Sequence, residues 1–542
     1  MSAVIKYIPD WIIFIQAFIA FSVPLLLYFL YTKLYHFVGK TPSPNVNRPN
    51  EKKEPDEVNV PFTGSFEKDM EIIQELIGGN CDFRTREFTM AKLNRRAILV
   101  YVDGMQNDRL LNVKVLEYLM FEATAEDMGL PLKAAELLPF ESLIEAGDIG
   151  AFNRSVLFGH TGLIIEGFPK GLLIELPDGA NRAVTEPVSE ALLRGPRLGF
   201  TEVLSENTSM LRRQGFTDQL VMKTYRVGTR LKKDLVIAYM KDIVNEDLLR
   251  EVDSRIEKMN MDFLAESGYV EQLIEDNYLS PFQQVQNTER PDRVINEIVA
   301  GRIGILLDGT PFALIVPATF TMLLQSPEDY YERWLPSTLL RMLRFLAAFL
   351  ALMAPALYIS LISFHPGLIP TELAITIIET RQGVPFPSLI EVLILEVAIE
   401  ILREAGIRLP KPIGPAMGIV GGLIIGDAAV QAGIVSPFLV IVVAVTAISS
   451  FSIPTYSAGF TLRLLRFVGM IFAAVLGMYG TILFFLLMCS HLTKLKSFGV
   501  PYLTPLTPYR LQDWKDIFLR VPFTLMKKRP AMFKTRNRRK ST

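Results

Sequence analysis

The sequence predicts an α+β cytosolic region of two subdomains followed by an α-helical polytopic membrane domain. Three observations predict it. The chain of 542 residues is 50% hydrophobic and 21% charged, and its mean hydropathy of +0.29 averages two unlike halves. Up to about Trp334 the pattern is that of a soluble protein, whereas from Leu335 long apolar runs dominate. The charge is lopsided as well. Arg510–Thr542 carries 11 Lys/Arg against two Asp, so with a net charge of −1 the residues before it sum to −10 (−1 − 9). A basic tail beside membrane segments belongs on the cytosolic side and suits anionic lipid better than nucleic acid.

Taken in order, residues 1–60 form an N-terminal hydrophobic segment and linker. Trp11–Tyr31 is apolar and long enough to span. It lacks the small-x-small site of a removed signal peptide. Residues 61–225 and 226–334 read as two soluble subdomains. Each holds a hairpin signature, GLIIEGFPKGLLIEL (Gly162–Leu176) and GILLDGTPFALIVP (Gly304–Pro317), in which an acidic-Gly turn separates two apolar runs. Asp103–Gly104 is a third such turn. Between the hairpins, Asp234–Gly268 has helical periodicity and a stop at Gly268, which predicts one long helix.

Residues 335–495 are the helical membrane domain, with candidate segments Leu339–Ser363, Phe386–Ile407, Ile413–Gly433, Ile434–Pro454 and Phe467–His491. Residues 496–542 are the basic cytosolic tail. The second segment is anomalous. Glu396, Glu400 and Glu404 fall within about 80° on one helix face, with Arg403 beside them and Glu391 well off the stripe. Each charge at mid-bilayer costs roughly 2.5–3.5 kcal/mol on insertion scales. The stripe therefore faces a pore, the membrane surface, or an ion-pair network through Arg403 and a neighbour such as Arg408. Parity bears on the choice: with Arg341, Arg344 and the tail all cytosolic, five candidates need one that does not simply cross, and the glutamate segment is the obvious one. Arg463 and Arg466 count against this scheme. In the third segment Gly414, Gly418, Gly422 and Gly426 recur every four residues, a seam for close helix packing, and Asp427 and Gln431 follow as polar groups at or near membrane depth.

No catalytic constellation, metal motif or phosphate loop is present, and two cysteines, Cys81 and Cys489, make no disulfide framework. An enzyme is not expected, nor a cofactor.

Longer stretches carry a family resemblance. EPVSEALLRGPRLGFTE (Glu186–Glu202), NTERPDRVINEIVAGRIGILLDGTPFALIVPATF (Asn287–Phe320), SPEDYYERW (Ser326–Trp334), EILREAGIRLPKPIG (Glu400–Gly414), IVGGLIIGDAAVQAGIVSP (Ile419–Pro437) and SFGVPYLTPLTP (Ser497–Pro508) resemble the A subunits of bacterial spore germinant receptors, the GerA family. The resemblance runs from about Phe66 to Pro508. It implies a multi-pass protein of the spore inner membrane that works beside a transporter-like B subunit, which is thought to bind the nutrient germinant, and a lipoprotein C subunit. It further implies a homo-oligomeric, nutrient-gated channel releasing monovalent cations to begin germination. A non-conducting scaffold, or a paralogue acting in dipicolinate release, would look similar. Trp11–Tyr31 departs from the usual family pattern.

Overall fold

A computed structural model describes residues 60–106, 111, 115–123, 142–175, 186–187, 189–190, 192–215, 217–408, 426–509 and 513–540. Trp11–Tyr31 and three seam glycines, Gly414, Gly418 and Gly422, lie outside the described residues.

Two five-stranded antiparallel sheets form the first part. The first contains β1 (Phe83–Met90), β2 (Arg95–Val102), β3 (Ser142–Ala146), β4 (Thr161–Ile165) and β5 (Gly171–Glu175). The second contains β6 (Leu220–Val227), β7 (Lys233–Met240), β8 (Gln286–Thr288), β9 (Ile303–Leu307) and β10 (Ala313–Val316). The strand orders, β1-β2-β4-β5-β3 and β6-β7-β9-β10-β8, are the same order shifted by five. Both expected hairpins are present, β4–β5 and β9–β10, each with an acidic residue and a left-handed glycine, Gly167 or Gly309, in its turn.

Each sheet is covered on both faces. Helices α1 (Phe66–Ile77) and α2 (Ile149–Leu157) pack on one face of the first sheet through Ile73, Phe152 and Val156. Leu111, Val115 and Leu119 cover the other face. On the second sheet, α3 (Leu204–Arg213) and α6 (Pro291–Ala300) lie on one face. On its other face lie α4 (Glu246–Glu257) and α5 (Ser267–Ile274). Local chemistry sets the helix ends. Asp148 accepts the Ala151 N–H at 2.8 Å to start α2, Asn245 accepts the Asp247 N–H at 3.0 Å to start α4, and α6 begins on Pro291 and ends at Gly301 in the left-handed region. The sheets meet at a buried pair in which Arg212 Nη2 donates to Asp82 Oδ1 at 2.8 Å.

The single helix expected over Asp234–Gly268 is instead strand β7, a turn and helix α4, and Gly268 sits inside α5. The run Leu235–Ala238 is wholly buried, so it shows no alternation to mark it as a strand.

The remaining long helices are α7 (Trp334–Ser363), α8 (Thr371–Arg381), α9 (Ser388–Arg408), α10 (Pro437–Phe451) and α11 (Tyr456–Lys494). Among the described residues α7 and α11 are long and apolar enough to cross a membrane. However, α11 is not one straight rod. Gly477 has φ 61° and ψ −140°, and beyond it the helix folds back. Phe472 and Phe484 meet at 5.9 Å between ring centroids, and Thr461 and His491 both contact the Ser280–Pro281 peptide segment, the former at Pro281 O and the latter at Ser280 Oγ. Thirty residues of straight helix would hold them about 45 Å apart. The Phe467–His491 segment expected as one pass is therefore a hairpin with two limbs. A Cβ at Gly477 would lie 2.8 Å from the Phe364 ring, so the reversal requires glycine.

The hairpin adds a limb that the sequence did not signal. The helices have a base, the end nearer the second sheet, and a far end. Helix α7 starts at the base, where Arg341 meets Asp329, and ends at the hairpin tip. Helix α9 runs the opposite way, from Ser388 against Ser363 at the far end to Arg403 against Ser450 near the base. It follows the bundle's depth and does not lie across it. Trp334 and Lys494 are thus both at the base of the bundle.

Candidate functional site

The glutamates of α9 separate into three environments. The first faces the outgoing limb of α11. Arg466 lies about 15 Å by helical rise from Tyr456 and a similar distance from Gly477, hence near mid-depth. Its Nη2 is 2.7 Å from Glu396 Oε2, and both side chains are 1% exposed. The same nitrogen donates to Glu400 Oε1 at 3.2 Å, and Arg463 Nε lies 3.4 Å from that oxygen. Arg403 Nη1 is 3.8 Å from Glu400, while its Nη2 donates to Ser450 Oγ at 3.0 Å and its guanidinium covers the Phe451 ring. Three guanidiniums thus meet two carboxylates, for a net charge of +1 (3 − 2). Glu400 is the accessible member, 28% exposed. Four guanidinium nitrogens in this cluster, Nε of Arg403, Arg463 and Arg466 with Nη1 of Arg403, and Glu396 Oε1 lack hydrogen-bond partners.

Glu404 is elsewhere. It pairs with Arg408 at 2.7 Å one turn on, both largely exposed. Arg408 therefore does not join Glu396 and Glu400, as the sequence reading suggested it could. Asp427 accepts from Gln431 Nε2 at 2.7 Å, again one turn apart and exposed, away from the cluster. Gly426, the one seam glycine among the described residues, has only ordinary contact distance, 3.6 Å, between a Cβ and Val440.

Glu391, off the stripe, is the most completely buried of the set. Its Oε1 accepts the Ser436 N–H at 2.6 Å and its Oε2 lies 3.2 Å from Arg381 Nη2, joining α8 and α9 to the N-cap of α10. Sequence reasoning missed Arg381 in this role and did not place Arg463 and Arg466 in the site. The available signal was complementary spacing: carboxylates four apart at 396 and 400, guanidiniums three apart at 463 and 466, each pair on one helix face.

A second constellation ties these helices to the second sheet. Thr461 Oγ1 donates to Pro281 O at 2.6 Å, and His491 Nε2 lies 2.9 Å from Ser280 Oγ. Phe282 stacks on His491 and abuts Phe320 and Tyr502. Tyr502 OH donates to Gln283 O, and Gln283 Nε2 donates to Glu271 Oε1 at 2.7 Å. Burial pushes the Glu271 carboxyl up to about 7. At the start of α7, Asp329 accepts from Arg341 Nε at 2.9 Å and from Arg344, and Arg341 also binds Asp516.

Among the described residues no group of three or more His, Cys, Asp or Glu is placed to hold a metal ion.

The family model for the Bacillus/Clostridium GerA spore germination protein matches residues 71–532. Spore germination protein GerLA of Bacillus cereus is 40% identical over 477 residues, 88% of this chain and 96% of that protein. Spore germination protein B1 of Bacillus subtilis (strain 168) is 42% identical over 467 residues, 86% of this chain and 96% of its own. Among solved structures, the N-terminal domain of the A subunit of the Bacillus megaterium spore germinant receptor GerK3 covers 48% of this chain and 98% of its own at 27% identity, with a TM-score of 0.36.

Proposed function

The chain belongs to the GerA family of spore germination proteins, as an A-type germinant receptor subunit, and on that premise we propose that copies of it form a nutrient-gated conduit for monovalent cations. In this reading α7, α9, α10 and both limbs of α11 cross the spore inner membrane, and the two sheets, the second beginning with α3 and β6 and so before the boundary at 225/226 expected from the sequence, and the tail (496–542) face the cytosol. Binding of nutrient by a B subunit, with a C subunit in the same complex, drives opening.

The observation that carries the reading is the charge cluster at mid-depth between α9 and α11. Ionisable groups at membrane depth are costly, and they characteristically face a bundle interior or a water-filled path. Here one end is sealed, at Glu396–Arg466, and the other is accessible, at Glu400. Glu400 is the residue proposed to meet the ion. The acids do not act as a bare selectivity ring, because three arginines outweigh them. Opening instead frees Glu400 from Arg463 and Arg466, so the cluster is a latch as well as a lining. Asp427, Gln431 and the glycines at 414, 418, 422 and 426 are assigned to contacts between helices or copies.

A second reading, a non-conducting scaffold for the B and C subunits, draws support from the same neutralised stripe. Reconstitution of the full chain with its B and C partners in liposomes separates them. Under the conduit reading, Glu400→Gln changes germinant-triggered potassium efflux or its selectivity while complex assembly is intact. Efflux that is unchanged in an assembled complex carrying Glu400→Gln sinks the assignment of Glu400, and efflux that needs no copy of this chain sinks the conduit.

A further inference from the structure

We propose that the cleft between the C-terminal segment and the second sheet holds the headgroup of an anionic phospholipid. The tail does not hang free. Arg529 Nε donates to Val299 O at 2.8 Å, Arg536 N–H donates to Ile243 O at 3.0 Å, and the segment arches over α6 to enclose a cleft of about 840 Å³. Four ammonium groups line it, from Lys515, Lys527, Lys528 and Lys540. Two of the three acids of the same wall are paired with arginines: Asp516 holds Arg341 and the Tyr330 hydroxyl, and Glu297 holds Arg302; Asp513 accepts the Ala531 N–H through Oδ1 while its Oδ2 has no hydrogen-bond partner. Among the described residues no carboxylate forms an ion pair with any of the four lysines, so the cleft presents uncompensated positive charge.

Two further features specify a lipid and not merely an anion. Phe523 and Leu525 line the cleft yet remain 48% and 40% exposed, so cationic and apolar surface are adjacent. The segment is also fixed at the depth where α7 changes character. Arg520 N–H donates to Thr338 Oγ1 at 3.1 Å, Asp516 binds Arg341, and the Phe518 ring packs 4.6 Å from Phe345. The exposed side chains of Leu339, Leu343 and Leu346 lead up α7 at helical spacing to and past Arg344, above which the helix carries no further charge. Aromatic groups and lysines at such a boundary match a headgroup zone, with acyl chains following the leucines.

This site rests on the membrane placement proposed above. The test uses the full chain in neutral detergent, titrated separately with phosphatidylglycerol, phosphatidylcholine and inorganic phosphate, reading the thermal midpoint. Phosphatidylglycerol alone should raise it by about 2–4 °C at saturation. Lys527→Gln with Lys528→Gln should weaken that response on the order of ten-fold, as should Lys515→Gln with Lys540→Gln. A charge-matched control outside the cleft, Lys534→Gln with Arg538→Gln, should leave it unchanged. An equal response to inorganic phosphate overturns the lipid assignment, and an equal loss in the control overturns the cleft. Alkaline carbonate extraction of the expressed protein addresses the premise separately: release from membranes defeats the membrane placement itself, whereas retention without a phosphatidylglycerol response defeats only this site.

Discussion

The two sheets share a strand order but differ in what they are attached to. The first meets the second sheet through Asp82–Arg212 and the Cys81–Met222 backbone bond, and its charged rim is open: Arg96 lies among Glu67, Glu87 and Glu166, all exposed. The second is joined to the helices through contacts that include Ser280–His491, Pro281–Thr461, Leu323–Thr455 and Asp329–Arg341, all buried or partly buried. The same scaffold used twice thus supplies one unit joined to the helices and one joined to it in series. The unit that can pass a displacement to the helices is the second.

Experiments can break or sharpen that contrast. The largest effect belongs to Phe282→Ala. It empties a site walled by His491, Tyr502 and Phe320 and should cost about 3–5 kcal/mol. It should also split one calorimetric transition into two, because it removes packing between sheet and helices. Phe152→Ala, in the first sheet's core, should cost as much without splitting the transition; a split there removes the distinction. Arg341→Ala leaves Asp329 buried with one partner fewer and should cost on the order of 3 kcal/mol. Arg96→Ala on the open rim should leave the thermal midpoint unmoved.

Glu271 gives an intermediate effect with a definite sign. Its carboxyl is held up near 7 against 4.5 ordinarily, so the folded state favours its protonated form. The resulting stabilisation is complete below about pH 4.5 and is lost as pH rises through about 7, about 3 kcal/mol in all. Glu271→Gln should flatten this part of the stability–pH curve, and an unaltered curve would remove Glu271 from the account. A smaller effect, though larger than that of Arg96→Ala, is that of Thr461→Val, about 1 kcal/mol for one hydrogen bond, visible as faster amide exchange at residues 280–284.

Much of this was legible in the sequence. The two hairpins were, because acidic-Gly turns between apolar runs leave the backbone few alternatives. Strand β7 was not, since Leu235–Ala238 is buried on both faces and runs into helix α4 with no alternation to mark the change. The reversal at Gly477 was hidden for a related reason: glycine is common in apolar membrane helices, and nothing beside it signals a turn. The charge stripe announced itself through insertion energy, but its partners lie more than 60 residues away, and pairing at that distance is decided by how helices are laid together. Only the matched spacing of 396/400 and 463/466 hinted at it. Glu391 looked peripheral because helix-face geometry treats one helix at a time, whereas α8 and the N-cap of α10 both converge on it.

The glycine at the hairpin tip has a mechanical consequence. Both limbs of α11 are gripped at their open ends by neighbouring residues, Ser280 and Pro281, and at their closed end Gly477 packs against Phe364 with no room for a Cβ. On the conduit reading proposed above, a push on the loop would move both limbs together, and Arg463 and Arg466, carried on one limb, would shift relative to Glu396 and Glu400 on α9.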